Sequence, residues 1–167
     1  MSLPCPGSPR RCHTYPSLPH ASSTRVLHKA ILLSPRNAEK AAALAADFPD
    51  HVRVCASNAE VVDSSDWVIM ATPPKPELTE ATYRPLNFRA DHNVCCLVAG
   101  INAETLRELV APATSVTQSF PLPPAEHGES TSVMFPPHPP TEVMLAKLGR
   151  VVPCPDFEQA MTVGVMG

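Results

Sequence analysis

Ser34, Arg36 and Asn37 form a polar run directly after an apolar run that ends at Leu33. A hydroxyl, a guanidinium and an amide this close together can hold a phosphate group, because Arg presents a planar fork of N–H donors. No acidic residue precedes Glu39. In dinucleotide folds an acid at the end of the second strand pairs with a ribose 2′-hydroxyl, whereas an Arg accommodates a 2′-phosphate. The run predicts an NADP-preferring site, and is equally compatible with a helix start that carries one solvated Arg.

A second set of candidate residues follows the apolar run that begins at Trp67. The set consists of Ala71, Thr72, Pro73 and Pro74. Such a segment turns the backbone away from a sheet, so that its amides and carbonyls can approach a cofactor. Taken alone, the same residues are more often a simple proline turn.

Both sets lie at predicted strand ends within residues 30–75. Continuous apolar runs alternate there with segments rich in helix formers, and Asn37 can cap the first helix while Pro49 can end it. These runs suit strands buried on both faces of a parallel sheet, which binds ligands at the carboxyl ends of its strands. The predicted elements are a strand at 30–33, a helix at 38–48, a strand at 52–55, a short helix at 58–63 and a strand at 67–71.

The rest of the chain continues this alternation, which predicts an α/β fold with a Rossmann-like, doubly wound parallel sheet. We expect three parts: a proline-rich, disordered leader at 1–28, a dinucleotide-binding domain at 29–156, and the start of a truncated helical domain at 157–167. The further predicted elements are a helix and loop at 77–88, strands at 93–99, 115–120, 132–135 and 150–152, helices at 103–110 and 143–148, a rigid extended loop at 136–140, and a helix from 157.

Composition excludes several classes of function. A net charge of −3 argues against a nucleic-acid binder, and no apolar run is long enough for a membrane helix. The six cysteines contain no CxxC pair, so we expect a reducing compartment, the cytoplasm, and no metal site. Residues 1–38 hold five of the 13 basic residues and none of the 16 acidic ones. Such a start is similar to an organelle transit peptide, although the five prolines of residues 1–24 would spoil the amphipathic helix, and mitochondrial targeting is the alternative.

Several motifs together resemble the cofactor domain of the pyrroline-5-carboxylate reductase family, in order and spacing, from about residue 29 to the end. The resemblance implies that NADPH, rather than NADH, contacts Ser34 and Arg36 through its 2′-phosphate, and Asn58 on its adenosine side. It also implies that Ala71 to Pro74 and Ala99-Gly100 surround the nicotinamide half. The motifs are Ser34-Pro35-Arg36-Asn37-Ala38-Glu39-Lys40-Ala41, Asn58-Ala59-Glu60, Ala71-Thr72-Pro73-Pro74-Lys75, and Val98-Ala99-Gly100-Ile101 followed by Thr105-Leu106.

The activity that this resemblance implies is the NADPH-dependent reduction of a cyclic imine acid to proline. No catalytic residue follows from it, and the family's Met-Pro-Asn-Thr segment is replaced here by Phe120-Pro121-Leu122-Pro123, which indicates a divergent branch. The alternative is a non-catalytic nucleotide-binding remnant or interaction module, which the two P-x-x-P segments at 121–124 and 136–139 would suit.

Two departures from the family pattern lead to further expectations. Family members open with a strand and a turn of the G-x-G-x-x-G type, yet no glycine lies between Gly7 and Gly100. The family's helical dimerisation and substrate domain would begin near Phe157. We therefore expect a fold without the usual first βα unit, impaired activity, and loss of the family's homo-oligomer.

Overall fold

The computed structural model describes residues 30–122 and 125–166, which fold into alternating strands and helices. The disordered leader predicted at residues 1–28 and its predicted targeting role lie outside the described residues. Within the described part, no helix is both long and apolar enough to cross a membrane. The strands are β1 (Ile31–Leu33), β2 (Val52–Val54), β3 (Trp67–Met70), β4 (Asn93–Cys96), β5 (Ser115–Pro121), β6 (Ser130–Phe135) and β7 (Gly149–Pro153). The helices are α1 (Ala38–Asp47), α2 (Asn58–Asp63), α3 (Pro76–Tyr83), α4 (Ala103–Leu109), α5 (Pro139–Leu145) and α6 (Phe157–Met166), with 3₁₀ turns at Ala125–His127 and Ala146–Leu148.

The first two helices begin at side-chain caps that the sequence encodes. The side-chain oxygen of Asn37 accepts from the backbone N–H of Lys40 at 3.1 Å, which confirms the predicted cap of α1. At α2 the hydroxyl of Ser57 accepts from the Glu60 N–H, while the Glu60 carboxylate accepts from the Ala56 N–H. This reciprocal arrangement resembles a capping box, and it fixes the start of α2 next to the end of β2.

The strands form two sheets, one of order β1-β2 and one of order β3-β4-β5-β6-β7. All neighbouring strands are parallel except β5 and β6, which are antiparallel. The predicted class, an α/β fold with a mostly parallel sheet, is thus confirmed. The antiparallel pair was not predicted, because β6 reads as one more short apolar run and its direction depends on the connection before it.

One face of the larger sheet buries the main hydrophobic core against α2, α3 and α4. Its members come from β3 and β4 and from the inner sides of these helices, so the element order brings them together along one side of the sheet. A smaller cluster at β6 includes Cys154 and Ala160, and the ring of Phe157 lies 6.0 Å from that of Phe135, so α6 packs on this strand. Whether α6 begins a further domain stays a prediction. Representative core residues are Val68, Met70, Val94, Leu106 and Val110.

The predicted extended loop at 136–140 is wrong in its second half, because α5 begins at Pro139. Prolines fit the first turn of a helix, where the backbone N–H groups have no intrahelical partner. The fixed φ angle of proline fits both an extended chain and the first turn of a helix. The proline run alone therefore did not distinguish an extended loop from a helix start.

Candidate functional site

The loop after β1 and the start of α2 meet at a short hydrogen bond. The hydroxyl of Ser34 donates to the side-chain oxygen of Asn58 at 2.6 Å, and it accepts from the backbone N–H of Arg36 at 3.3 Å. Both Ser34 and Arg36 are exposed, and Asn58 is half-buried. Ser34, which follows β1, and Asn58, which follows β2, are therefore in direct contact, as two residues of one binding site would be.

Arg36 is the residue of this group that remains open to a ligand. Its side chain is exposed, and it makes no hydrogen bond or ion pair within residues 30–122 and 125–166. Asn37 differs, since its side-chain oxygen is already used to cap α1. Its role at this site is thus to fix the helix start behind Arg36.

The loop after β3 is held mainly by α3. The backbone N–H of Ala71 donates to the phenol oxygen of Tyr83 at 3.2 Å, and the hydroxyls of Thr72 and Thr79 lie 3.3 Å apart. Burial raises the pKa of Tyr83, so its phenol stays protonated at neutral pH. The Ala71 amide is therefore already bonded within the protein, although the residue itself, like Pro73 and Pro74, is exposed on the surface.

The loop after β4 lies beside the loop after β3, because the N–H of Leu97 donates to the carbonyl of Met70 at 2.9 Å. Ala99 and Gly100 are exposed at its tip. Gly100 has φ +83, and a Cβ atom there would meet nothing within 4 Å, so the backbone is open on that side. The side chain of buried Gln118 holds the end of the loop by donating to the Ile101 carbonyl at 2.9 Å.

The predicted residues thus form two groups. The first group is Ser34, Arg36, Asn37 and Asn58, and the second group is Ala71, Thr72, Pro73, Pro74, Ala99 and Gly100. No hydrogen bond or ion pair between described residues joins the two groups. Sequence reasoning missed Tyr83, Thr79 and Gln118, which position the second group. The one available signal was a glutamine inside an apolar strand, where a buried amide needs partners.

The charge of these loops favours an anionic ligand. Residues 34–37, 71–75 and 98–102 contain Arg36 and Lys75 and no acidic residue, although the whole chain is acidic. Two exposed cations, one after β1 and one after β3, raise the local concentration of a phosphate-bearing molecule near these loops. The net charge of −3 of the whole chain is compatible with attraction of an anion to these loops, because the electrostatic potential at a loop is set mainly by the charges nearest to it.

Residues 34–37, 71–75 and 98–102 contain no His, Cys, Asp or Glu, and Lys75 is the one amine among them. Burial raises the pKa of Cys95 to about 12 and that of Cys96 to about 11, so both thiols of β4 stay protonated and unreactive at neutral pH. Among the described residues, no three His, Cys, Asp or Glu side chains come close enough to hold a metal ion.

A surface depression in the described part lies elsewhere, along α3, and is lined by Pro76, Glu77, Glu80, Ala81, Arg84 and Pro85. It carries two carboxylates and contains no predicted site residue. We attach no function to it.

Comparison with known proteins gives a clear answer for the fold. No family model matches the sequence, and no curated protein matches it. Solved structures do match. A pyrroline-5-carboxylate reductase from Coxiella burnetii superimposes with a TM-score of 0.68 at 15% identity, covering 81% of this chain and 53% of that protein. The 1-pyrroline-5-carboxylate reductase of Streptococcus pyogenes gives 0.63 at 17% identity, covering 78% and 50%.

A third match is the Plasmodium falciparum pyrroline carboxylate reductase, solved with NADP bound, with a TM-score of 0.57 at 15% identity, covering 68% of this chain and 45% of that one. The chain therefore spans about half the length of these reductases. Identities this low show the fold alone. The chain has the Rossmann-like α/β fold of part of the pyrroline-5-carboxylate reductases.

Proposed function

We propose that this chain binds NADPH at the carboxyl ends of β1 to β4 and serves the reduction of a cyclic imine acid to proline, as a pyrroline-5-carboxylate reductase does. The observation that carries the proposal is the first group of site residues, in which exposed Arg36 lies beside the Ser34–Asn58 hydrogen bond in a loop, residues 34–37, that contains no acidic residue. This is the combination that accepts a 2′-phosphate.

Each group of site residues has a separate part in this function. Arg36 pairs with the 2′-phosphate, and the Ser34 hydroxyl turns its hydrogen from Asn58 to a phosphate oxygen when the cofactor binds. The loops at 71–74 and 99–100 flank the nicotinamide half, where the open side of Gly100 lets the backbone approach the ring. The bound NADPH supplies the hydride, and the protein contributes orientation and electrostatics. No residue of this chain is assigned a catalytic role.

The test is calorimetric titration of the purified chain with NADP and NAD. A charge-assisted contact to the 2′-phosphate contributes roughly 1.5–3 kcal/mol, so we expect NADP to bind about tenfold more tightly or better. Arg36→Glu should reverse the preference, because the new carboxylate repels the phosphate and can accept from a ribose hydroxyl. Arg107→Glu, an exposed exchange in the last turn of α4, is the control and should leave it unchanged. Equal affinities of the unmutated chain for both cofactors would contradict the proposal.

The second candidate is a nucleotide-binding module without catalysis. It is favoured by the lack of His, Cys, Asp and Glu in the three loops. The same titration serves both candidates, and NADPH oxidation with pyrroline-5-carboxylate separates them, since the module binds NADP without turning over the imine.

A further inference from the structure

Three buried serines on β5 and β6 have hydroxyls without a hydrogen-bond partner in the described part of the chain. Ser119 and Ser132 are 0% exposed, and Ser130 is 1% exposed. None of the three hydroxyl oxygens bonds to a described residue, and they do not bond to one another. A buried hydroxyl that is left unpaired lowers the folding equilibrium constant by roughly 5- to 150-fold. Three of them on two neighbouring strands therefore indicate a partner that the described residues do not supply.

The three side chains lie on one face of the sheet. In the antiparallel ladder of β5 and β6, Ser119 pairs with Met134, and Pro121 pairs with Ser132. Paired residues share a face, and so do alternate residues of one strand. The side chains of Ser119, Ser132 and Ser130 are therefore on the same side of the sheet. We call these three residues the serine row.

Helix α5 packs on this face. His138, at the start of α5, contacts the hydroxyl of Ser115 at 3.0 Å. Ser115 comes four positions before Ser119 on β5, so the two side chains are on the same side of the sheet. Thr141 and Leu145 are the buried residues of α5. The serine row therefore lies on the side of the sheet that a described helix packs against.

The spacing along the row fits one small molecule between neighbouring hydroxyls. Ser130 and Ser132 are alternate residues of a strand, and such residues are about 6–7 Å apart. Ser119 and Ser132 are diagonal neighbours across two strands, which are about 7–8 Å apart or slightly less. Both gaps are too long for a direct hydrogen bond of about 2.8 Å between two hydroxyls. They are close to the span of two such bonds through one oxygen atom.

The surroundings of the row favour an uncharged ligand. The residues that pair with the row in the ladders are Met134, Pro121, Gly149 and Val151, and none of them carries a charge. A hydroxyl has one donor and two acceptor positions, so its partner should both donate and accept. Water does both and has the required size, and an internal water typically makes about three hydrogen bonds to buried polar groups.

We propose that the serine row binds at least two internal water molecules, one between Ser119 and Ser132 and one between Ser132 and Ser130. These waters connect β5 to the start of β6 beneath α5. Ser132 contacts both waters and is the central residue of the row. Gly128 and Glu129, which precede Ser130, are exposed, so the waters have a short path for exchange with solvent. This binding is independent of whether the chain binds NADP.

The test counts long-lived water molecules on the full chain, without any nucleotide, by oxygen-17 relaxation dispersion of the solvent. Ser132→Val replaces the central hydroxyl by methyl groups that occupy the space between the side chains. We expect this variant to have two fewer long-lived waters than the unmutated chain. Thr117→Val is the matched control, because Thr117 is buried on the same face of β5 but its hydroxyl already donates to the Pro136 carbonyl at 2.6 Å. This variant should lose no water.

A smaller substitution, Ser132→Ala, keeps the test decisive if valine disturbs the packing. Removing a hydroxyl that bonds to water takes one partner from each of the two waters. The number of long-lived waters should then fall, and the folding equilibrium constant should decrease by about fivefold or more. Removing an unpaired hydroxyl would instead increase this constant, because the cost of burying that group disappears. Urea denaturation gives the sign of the change.

Three outcomes would overturn the proposal. One is that neither Ser132→Val nor Ser132→Ala loses a long-lived water. A second is that Thr117→Val loses as many waters as Ser132→Val. A third is an increase in the folding equilibrium constant on Ser132→Ala, which would mean that the hydroxyl has no partner in solution.

Discussion

Gly149 begins β7 directly opposite Ser130, with φ +133. A Cβ atom at this position would overlap the Ser130 backbone, and the backbone angle itself is one that side chains rarely adopt. The strained angle alone costs roughly 1–3 kcal/mol, and the overlap must add to it by pushing β6 and β7 apart. We therefore expect Gly149→Ala to lower the free energy of unfolding by more than about 2 kcal/mol.

Gly100→Ala is the matched control for this prediction, because φ is also positive but the Cβ atom would contact nothing within 4 Å. Gly100→Ala should lower the free energy of unfolding only by the cost of the strained backbone angle, roughly 1–3 kcal/mol. Urea denaturation of the two variants measures both values. Equal destabilisation would mean that the approach of β7 to Ser130 has no energetic role.

At the residue scale, the sequence predicted residues that act locally and missed those that act across the fold. The cap by Asn37 depends on a partner three positions away, so it could be read from the chain. The contacts of Tyr83 with Ala71 and of Gln118 with Ile101 join residues 12 and 17 positions apart. Such pairs depend on how helices and strands pack, which spacing along the chain does not specify.

The start of α5 is tied to the sheet by a neutral histidine. His138 contacts the hydroxyls of Ser115 and Thr141 at 3.0 and 2.8 Å, and its ring lies 6.0 Å from that of Trp67. None of these groups is charged, and burial lowers the pKa of His138 from its ordinary 6.5. A positive charge at a helix N-terminus would also oppose the helix dipole.

This lowered pKa predicts how stability depends on pH. The unfolded chain takes up the proton near pH 6.5, whereas the folded chain does so only at lower pH. The stabilisation is thus present above pH 6.5 and is lost as the pH falls towards the folded pKa. Burial also lowers the pKa of His92. We expect His138→Gln to flatten the decline of unfolding free energy below pH 6.5, with His92→Gln flattening the rest. An unchanged decline in the double variant would exclude both histidines as the cause.

Arg89 connects the end of α2 to the segment before β4. Its guanidinium donates to the carbonyls of Asp63 and Ser65 at 3.1 and 3.0 Å, and its Nε lies 3.1 Å from the Asp91 carboxylate. Lys has no planar fork and cannot serve these partners together. Arg89→Lys should therefore destabilise the fold by about 1–3 kcal/mol.

Arg84→Lys serves as the comparison, since Arg84 makes an exposed i,i+4 ion pair with Glu80 at 3.0 Å. Pairs of this kind contribute roughly 0–1 kcal/mol, so this variant should remain close to the unmutated chain. Thermal unfolding of Arg89→Lys, Arg84→Lys and the unmutated chain measures the loss of stability in each variant. If Arg84→Lys is as destabilising as Arg89→Lys, the carbonyl contacts are not what matters.

Most elements could be predicted from local patterns, and the exceptions have a common cause. The caps, the apolar runs and Pro49 located α1, α2 and β1 to β3 within one or two residues. Two features were not predicted: the direction of β6 and the helical start at Pro139. Both depend on tertiary context, since a short apolar run fits either strand direction and a proline fits both an extended loop and a first helical turn.

At the scale of the whole molecule, the separation of the described strands into two sheets explains why no hydrogen bond or ion pair between described residues joins the two groups of site residues. The first group lies at the ends of β1 and β2, and the second at the ends of β3 and β4. In a doubly wound sheet, the glycine-rich turn that holds the pyrophosphate follows strand 1, which lies between these pairs. The described residues thus hold the adenosine side and the nicotinamide side of the proposed site separately.

The polypeptide of residues 1–167 should consequently turn over little or no imine. Hydride transfer requires the nicotinamide at near-attack distance from the substrate carbon, and a misplacement of about 1 Å can cost on the order of 100-fold in rate. No glycine-rich turn among the described residues holds the pyrophosphate. The loops at 71–74 and 99–100 cannot fix the nicotinamide by themselves, because the Ala71 amide is already bonded to Tyr83.

The measurement is NADPH oxidation with pyrroline-5-carboxylate, comparing this polypeptide with a chimera. The chimera gains a strand, a G-x-G-x-x-G turn and a helix before Lys29, and a helical domain of a pyrroline-5-carboxylate reductase after Met166. A version that gains only the helical domain shows which addition matters. We expect turnover only in the full chimera, because positioning of the nicotinamide and positioning of the imine are both needed for the same transition state. A rate for the unmodified polypeptide near that of the full chimera would show that the added strand, glycine-rich turn and helical domain are not needed for turnover.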